Sequence, residues 1–266
     1  MIRCTFVAAL GPLLVLGSSR AAAQVDAFAV DTTRVPVGRM YEYLKSNRDG
    51  TRPSMVSVYV AGPSRIESLK WAPRDTTASV VVAEMDWTRV SVARLESWTL
   101  TKGALQPRAT LQTDSSGLGV RVSFQPDSVL PIRKWPWHSY DFDFASLNLA
   151  FPFLRAPEQP FTFERADLTY ADAGPPFADL GEVEVRYAGR EMRRGTAVRF
   201  YELSGPGLQG HPGRLWVSVT GTYFVEYEFP FPDEPGYTDV RLQLRSIRRL
   251  APAEWEAYKR ERVSGR

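Results

Sequence analysis

Between Arg39 and Leu244 the chain alternates apolar and polar residues with a period of two, the signature of half-buried β-strands. The plainest case is Glu182-Val183-Glu184-Val185-Arg186-Tyr187, with charge on one parity and apolar side chains on the other. Leu118, Val120, Val122 and Phe124 alternate with Gly119, Arg121 and Ser123 in the same way. Further strands are predicted at Arg39–Lys45, Met55–Val60, Arg65–Trp71, Ala78–Trp87, Val90–Leu100, Leu105–Thr113, Phe161–Tyr170, Thr196–Leu203, Leu215–Val219, Tyr223–Phe229 and Val240–Leu244. Turn chemistry separates them. Asp49-Gly50, Gly62-Pro63, Asp114-Ser115-Ser116-Gly117 and Thr220-Gly221-Thr222 are the points of reversal.

Two stretches break the pattern. Residues 126–160 hold six prolines and a dense aromatic run, Trp135, Trp137, Tyr140, Phe142, Phe144, Phe151 and Phe153. This segment reads as a crossover between two parts of the sheet. It carries a short helix over Asp141–Ala150, entered near Ser139 and stopped by Pro152. Pro252–Val263 reads as a C-terminal helix, with Pro at its first turn and Trp255, Tyr258 and Arg262 at helical spacing. Many short strands, a turn roughly every 8–12 residues and little helix give an all-β class. The expected architecture is one large curved antiparallel sheet, or open half-barrel, with a C-terminal helix. The competing layout is two smaller sandwiches joined at 126–160.

The N-terminus stands apart from this pattern. Arg3 precedes the apolar runs Phe6–Leu10 and Leu13–Leu16, and Ala21-Ala22-Ala23 follows before Gln24. A charged start, a short apolar centre and an A-x-A site mark a secretory signal peptide over 1–23. The run falls short of the about 20 apolar residues needed to span a bilayer. Residues 24–266 then form a single β-rich domain, exported to a bacterial periplasm or to the exterior. No later run is long enough for a transmembrane helix. The only cysteine, Cys4, lies in the leader, which excludes disulfides and thiolate chemistry from the exported chain. The formal charge of +3 falls to near neutrality once Arg3 and Arg20 are removed, so nothing points to nucleic acid as a partner.

Chemistry-bearing motifs are sparse. The chain has no G-x-S-x-G, P-loop or H-E-x-x-H pattern, and Gly205-Pro206-Gly207 reads as a turn rather than a phosphate cradle because the proline removes a donor. His138, Asp141 and Asp143 are the nearest thing to a catalytic group, since an imidazole beside two carboxylates can bind a metal or move protons. The plainer interpretation is a loop whose aspartates bond backbone groups while the histidine stacks among aromatics. The seven tryptophans are chiefly core material. Trp135, Trp137, Tyr140, Phe142 and Phe144 are the strongest candidates for lining an apolar ligand site. No cofactor and no metal is implied, and the oligomeric state is not indicated.

The order of hairpins, the late hairpin from Leu215-Trp216-Val217 to Phe229 and the leader together resemble a group of bacterial periplasmic proteins. These have curved antiparallel sheets related in shape to the lipoprotein carriers. Tyr43–Gly50 has the look of a family signature. The resemblance implies an open half-barrel whose concave face holds an acyl chain or a partner segment, and it carries over no catalytic residue. The leading expectation is therefore an exported envelope binding protein with an apolar groove for lipid or an acyl chain. The alternatives are a periplasmic hydrolase of envelope glycans and an outer-membrane β-barrel.

Overall fold

The computed structural model describes residues 25–73, 75–113, 118–122, 127–130, 132, 134–168, 177–230 and 236–263. The leader with Cys4 lies outside the described residues, as do Phe124 and Tyr170 at the ends of two expected strands. Among the described residues, fifteen strands join in a single sheet. In chain order they are β1 (Arg39–Asn47), β2 (Ser54–Val60), β3 (Arg65–Trp71), β4 (Thr77–Asp86), β5 (Ser91–Thr101), β6 (Ala104–Thr113), β7 (Leu118–Val122) and β8 (Ser128–Leu130), then β9 (Trp137–His138), β10 (Phe161–Leu168), β11 (Phe177–Arg193), β12 (Thr196–Ser204), β13 (Gly213–Ser218), β14 (Phe224–Phe229) and β15 (Val240–Arg249).

The spatial order is β8-β7-β6-β5-β4-β3-β2-β1-β15-β14-β13-β12-β11-β10-β9. The sheet is thus two meanders that meet at a β1–β15 seam, running from Arg39↔Arg249 to Asn47↔Val240. All pairings are antiparallel except the two-residue one between β9 and β10. The two-sandwich layout gives way to one sheet because β15 returns to pair with β1. Register shifts leave an extra residue in β5, β6, β14 and β15 and two in β11, and they add curvature, since a bulge bends its strand and increases the local twist.

The ends of the sheet, β8 and β9, are neighbours in sequence. The crossover between β9 and β10 therefore runs beneath the sheet and fills its concave face. It carries helix α1 (Ala145–Ala150) and a 3-10 turn over Phe151–Phe153. The helix begins later than the Asp141–Ala150 expectation. Ser139 does not cap it, because its hydroxyl bonds Asp167 instead. Phe144 enters the helix in the left-handed region with no side-chain cap. Pro152 sits inside the 3-10 turn, where its missing N–H is harmless.

The convex face differs between the two halves. Over β1–β5 it is apolar and is covered by α2 (Pro252–Val263). Trp255 of α2 stacks on Tyr59 at 5.1 Å, and its Nε1 donates to Glu67 at 2.7 Å. Lys259 reaches the same carboxylate at 3.0 Å, and the Tyr258 hydroxyl donates to Glu42 at 2.7 Å. Over β11–β15 the convex face is charged, with pairs such as Arg186–Glu202 and Arg214–Glu228. A barrel embedded in a membrane needs an apolar exterior band. This exterior has a helix on one half and, on the other, ion pairs beside a small apolar cluster of Val198, Trp216 and Val225, which does not favour the outer-membrane reading.

Candidate functional site

Strand parity aims Tyr41, Tyr43, Val56, Val58 and Ile66 into the concave face from one meander. Phe161, Phe163, Val183, Val185, Tyr201 and Leu203 enter from the other. The crossover lies between them. Trp137, Tyr140, Phe142 and Phe144 are at most 1% exposed. Phe144 meets Phe163 at 5.5 Å and Phe229 at 5.6 Å, while Tyr140 meets Phe229 at 5.5 Å. Phe151 packs edge-on against Phe161, Tyr201 and Phe224 at 5.4–5.7 Å. Edge-to-face rings at these spacings add to plain area burial. Trp135 is the outermost of the five expected ligand-lining residues. It is only partly buried, and the Arg89 guanidinium lies 4.7 Å over its ring. The structure brings the other four together as the filling of the concavity.

Polar groups pin this strap along its length. The Trp137 N–H donates to Ser91 Oγ at 2.8 Å. Asp167 of β10 accepts from Ser139 Oγ at 2.7 Å and from the backbone N–H groups of Tyr140 at 2.6 Å and Asp141 at 3.0 Å. Arg165 pairs with Asp167 and donates to the Gly207 carbonyl at 3.0 Å. Gly207 must be glycine for that reach, because a Cβ there would stand 2.5 Å from the Gly181 oxygen. Asn148 of α1 donates to the Tyr43 hydroxyl at 3.0 Å and accepts from the Phe224 N–H at 2.8 Å.

His138, Asp141 and Asp143 serve separate partners. His138 is fully buried, with Nδ1 in hydrogen-bond contact with Ser146 Oγ at 2.8 Å and its ring edge-on to Phe163 at 5.4 Å. Burial pushes its pKa down to about 3, so the imidazole is neutral at physiological pH. Asp141 accepts from the Leu168 N–H at 2.7 Å. Asp143 is buried against two lysines of the sheet, Lys70 Nζ at 2.9 Å and Lys45 Nζ at 3.7 Å. The Tyr227 hydroxyl donates to it at 3.4 Å. Among the described residues, no group of three His, Cys, Asp or Glu side chains is placed to hold a metal ion.

The backbone at this point is strained. Asp143 and Phe144 both have positive φ, 49° and 50°. Aspartate tolerates the left-handed region. A phenylalanine there costs roughly 1–2 kcal/mol. The sequence holds a clue to the lysines. Tyr41, Tyr43 and Lys45 share one parity, as do Ile66, Ser68 and Lys70, so both lysines stand on the core face of their strands.

A second feature lies where β9 joins the sheet. The Glu164 N–H donates to the Pro136 carbonyl at 2.8 Å. Its carboxyl is raised to about 7 by burial and by Asp179 and Glu182 beside it, against the opposing pull of Lys134. An acid whose folded pKa exceeds its unfolded value of 4.5 favours the fold while protonated. That stabilisation is complete below about pH 4.5 and is lost as pH rises through about 7. Urea midpoints of wild type and Glu164→Gln between pH 5 and 8 check this. The wild type should lose stability relative to the variant across that window, the contribution of His138 being common to both, and parallel profiles would refute the assignment.

A cleft of about 480 Å³ opens on the charged convex half, lined by Arg48, Glu184, Arg186, Glu202, Arg214 and Glu228. Its three cations and three anions stand beside Leu203, Pro212 and Pro230, and no aromatic side chain lines it.

No family model and no curated protein matches the chain. Solved structures resemble it in layout. One is a DUF1329 family protein from Desulfovibrio piger, at 13% identity and TM-score 0.31, covering 90% of this chain and 98% of the other. Another is an outer membrane lipoprotein-sorting protein domain from Vibrio parahaemolyticus, at 12% and 0.32, covering 92% and 97%. A third is a LolA superfamily protein from Nitrosomonas europaea, at 11% and 0.22, covering 89% and 97%. At such identities and TM-scores they assign no role to any residue.

Proposed function

We propose that this chain is an exported envelope binding protein whose concave face takes a lipid or acyl chain in place of the crossover strap. Trp135, Trp137, Tyr140, Phe142 and Phe144 would then line the route of the ligand. The observation that carries the reading is the nature of the filling. The concavity is occupied by a largely apolar segment whose only ladder among the described residues is the two-residue β9, apart from an isolated Phe28–Leu154 bridge, and which is strained at Asp143–Phe144. An acyl chain offers the same apolar surface to the sheet without the backbone strain. The leader supports an envelope location, and the reading assigns binding rather than catalysis.

Native mass spectrometry of the full chain, purified from a bacterial envelope without detergent, tests this. The expected result is a co-purifying species of lipid mass, with a pyrene-labelled acyl probe quenching tryptophan emission from Trp87, Trp135 and Trp137. A chain that carries no lipid and binds no acyl probe sinks the proposal.

A further inference from the structure

The two ends of the sheet close on one another where the strap enters. β9 lies against β5, where Ser91 accepts the Trp137 N–H at 2.8 Å, and β8 lies against β11. On its other side β9 is held by β10, with Trp137 opposite Glu164 and the Glu164 N–H on the Pro136 carbonyl at 2.8 Å. The Glu164 side chain is enclosed in this closure, and its Oε2 has no hydrogen-bond partner among the described residues. Glu182 stands directly across the β10–β11 ladder from it, and Asp179 of β11 lies beside it. The cation that faces the group is the half-exposed Lys134, with Nζ 3.9 Å from Glu164 and 4.0 Å from Glu182. β8 and the 3-10 turn Pro206–Leu208, which packs on β10, bring no charged residue. Arg165, next in β10, has the opposite parity and pairs with Asp167.

Like charges opposite one another in a ladder oppose pairing, and a desolvated carboxylate adds to that cost. A proton on Glu164 removes both penalties. Parting of β9 from the sheet removes them as well, by letting the carboxylate into water. We infer that Glu164, Asp179 and Glu182 form a proton-dependent clasp, which holds β9 between β5 and β10 while Glu164 carries a proton and releases it when that proton is lost. Closing takes up one proton from water and opening returns it. The clasp acts at the point where the strap enters the concavity, so its opening frees that end of the strap. It is a property of the ligand-free chain and stands whether or not the concave face takes an acyl chain.

Hydrogen exchange of the full chain, read at the Trp137 and Glu164 amides and corrected for the intrinsic rate, tests the clasp. Both amides should exchange through a local opening that dilute urea barely accelerates, while amides of the β1–β15 seam exchange only with unfolding of the whole molecule. The local opening constant should rise about tenfold per pH unit between about pH 5 and 7, as the loss of one proton requires. Glu164→Gln should flatten that dependence. Asp179→Asn keeps an acceptor for the Gly181 N–H and should move the rise to lower pH, which preserves the test if Glu164→Gln does not fold. A local opening indifferent to pH overturns the inference. So does exchange of the two amides only together with the seam.

Discussion

Asp143→Asn lowers the free energy of unfolding by about 3 kcal/mol. Asparagine keeps the volume of aspartate and its tolerance of positive φ, so the change isolates the charge. It takes away the carboxylate that Lys45, which is 3% exposed, and the partly shielded Lys70 both meet. Removing one partner of a buried ion pair costs about 3–5 kcal/mol, because the remaining charge stays desolvated. Solvent access at Lys70 puts this site at the lower end. Urea unfolding at neutral pH measures it as a fall in midpoint at constant slope. A loss below about 1 kcal/mol would show that the lysines have found other partners and that Asp143 is not their counter-ion. Adding Lys70→Met to the same background should recover part of the loss, as one of the two charges that met Asp143 is removed with it.

The largest pH effect belongs to His138. Its folded pKa of about 3 lies far below the unfolded value of 6.5. A base depressed in this way contributes stability above pH 6.5, and that stability is lost as pH falls toward 3. A tenfold change in a protonation equilibrium is worth about 1.4 kcal/mol, so the whole window amounts to about 5 kcal/mol, of which about 3 is gone by pH 4. The measurement is a difference of differences. Wild type and His138→Gln are unfolded at pH 7 and pH 4, and the gap between them should shrink by about 3 kcal/mol at the lower pH. The packing loss of the variant, which forfeits the ring contact with Phe163, cancels in the comparison. Parallel profiles would place the ring within reach of water.

The sheet is legible in the sequence because its strands are solvated on one face over much of their length. The alternation at 182–187 and the turns at Asp49-Gly50 and Gly62-Pro63 mark strands and reversals that the structure contains. Strand ends are less legible. The Glu182–Tyr187 stretch is the middle of a strand that runs from Phe177 to Arg193, because Gly181 and Gly189 interrupt the alternation at register shifts without ending the strand. The aromatic run marks the crossover but not its position under the sheet. A continuous apolar stretch with no period says that a segment is buried without saying against what. His138, Asp141 and Asp143 are neighbours in sequence that diverge in space, whereas the partners of Asp143 come from strands about 100 and 70 residues away. Long-range ion pairs leave only a parity clue, a lysine on the wrong face of a strand.

The β1–β15 seam has a consequence for how the molecule is made. Each meander can assemble from neighbouring hairpins as the chain emerges, but the ladder that unites them pairs Arg39 with Arg249, almost the whole chain apart. Contacts so distant in sequence slow folding, since loop closure precedes any gain from pairing. Until β15 arrives, β1 and β14 are open edges that can recruit another chain. Synthesis from the N-terminus therefore leaves β1 an exposed edge until the sequence of β15 is complete, and that interval is when the molecule is most open to pairing with a second copy of itself.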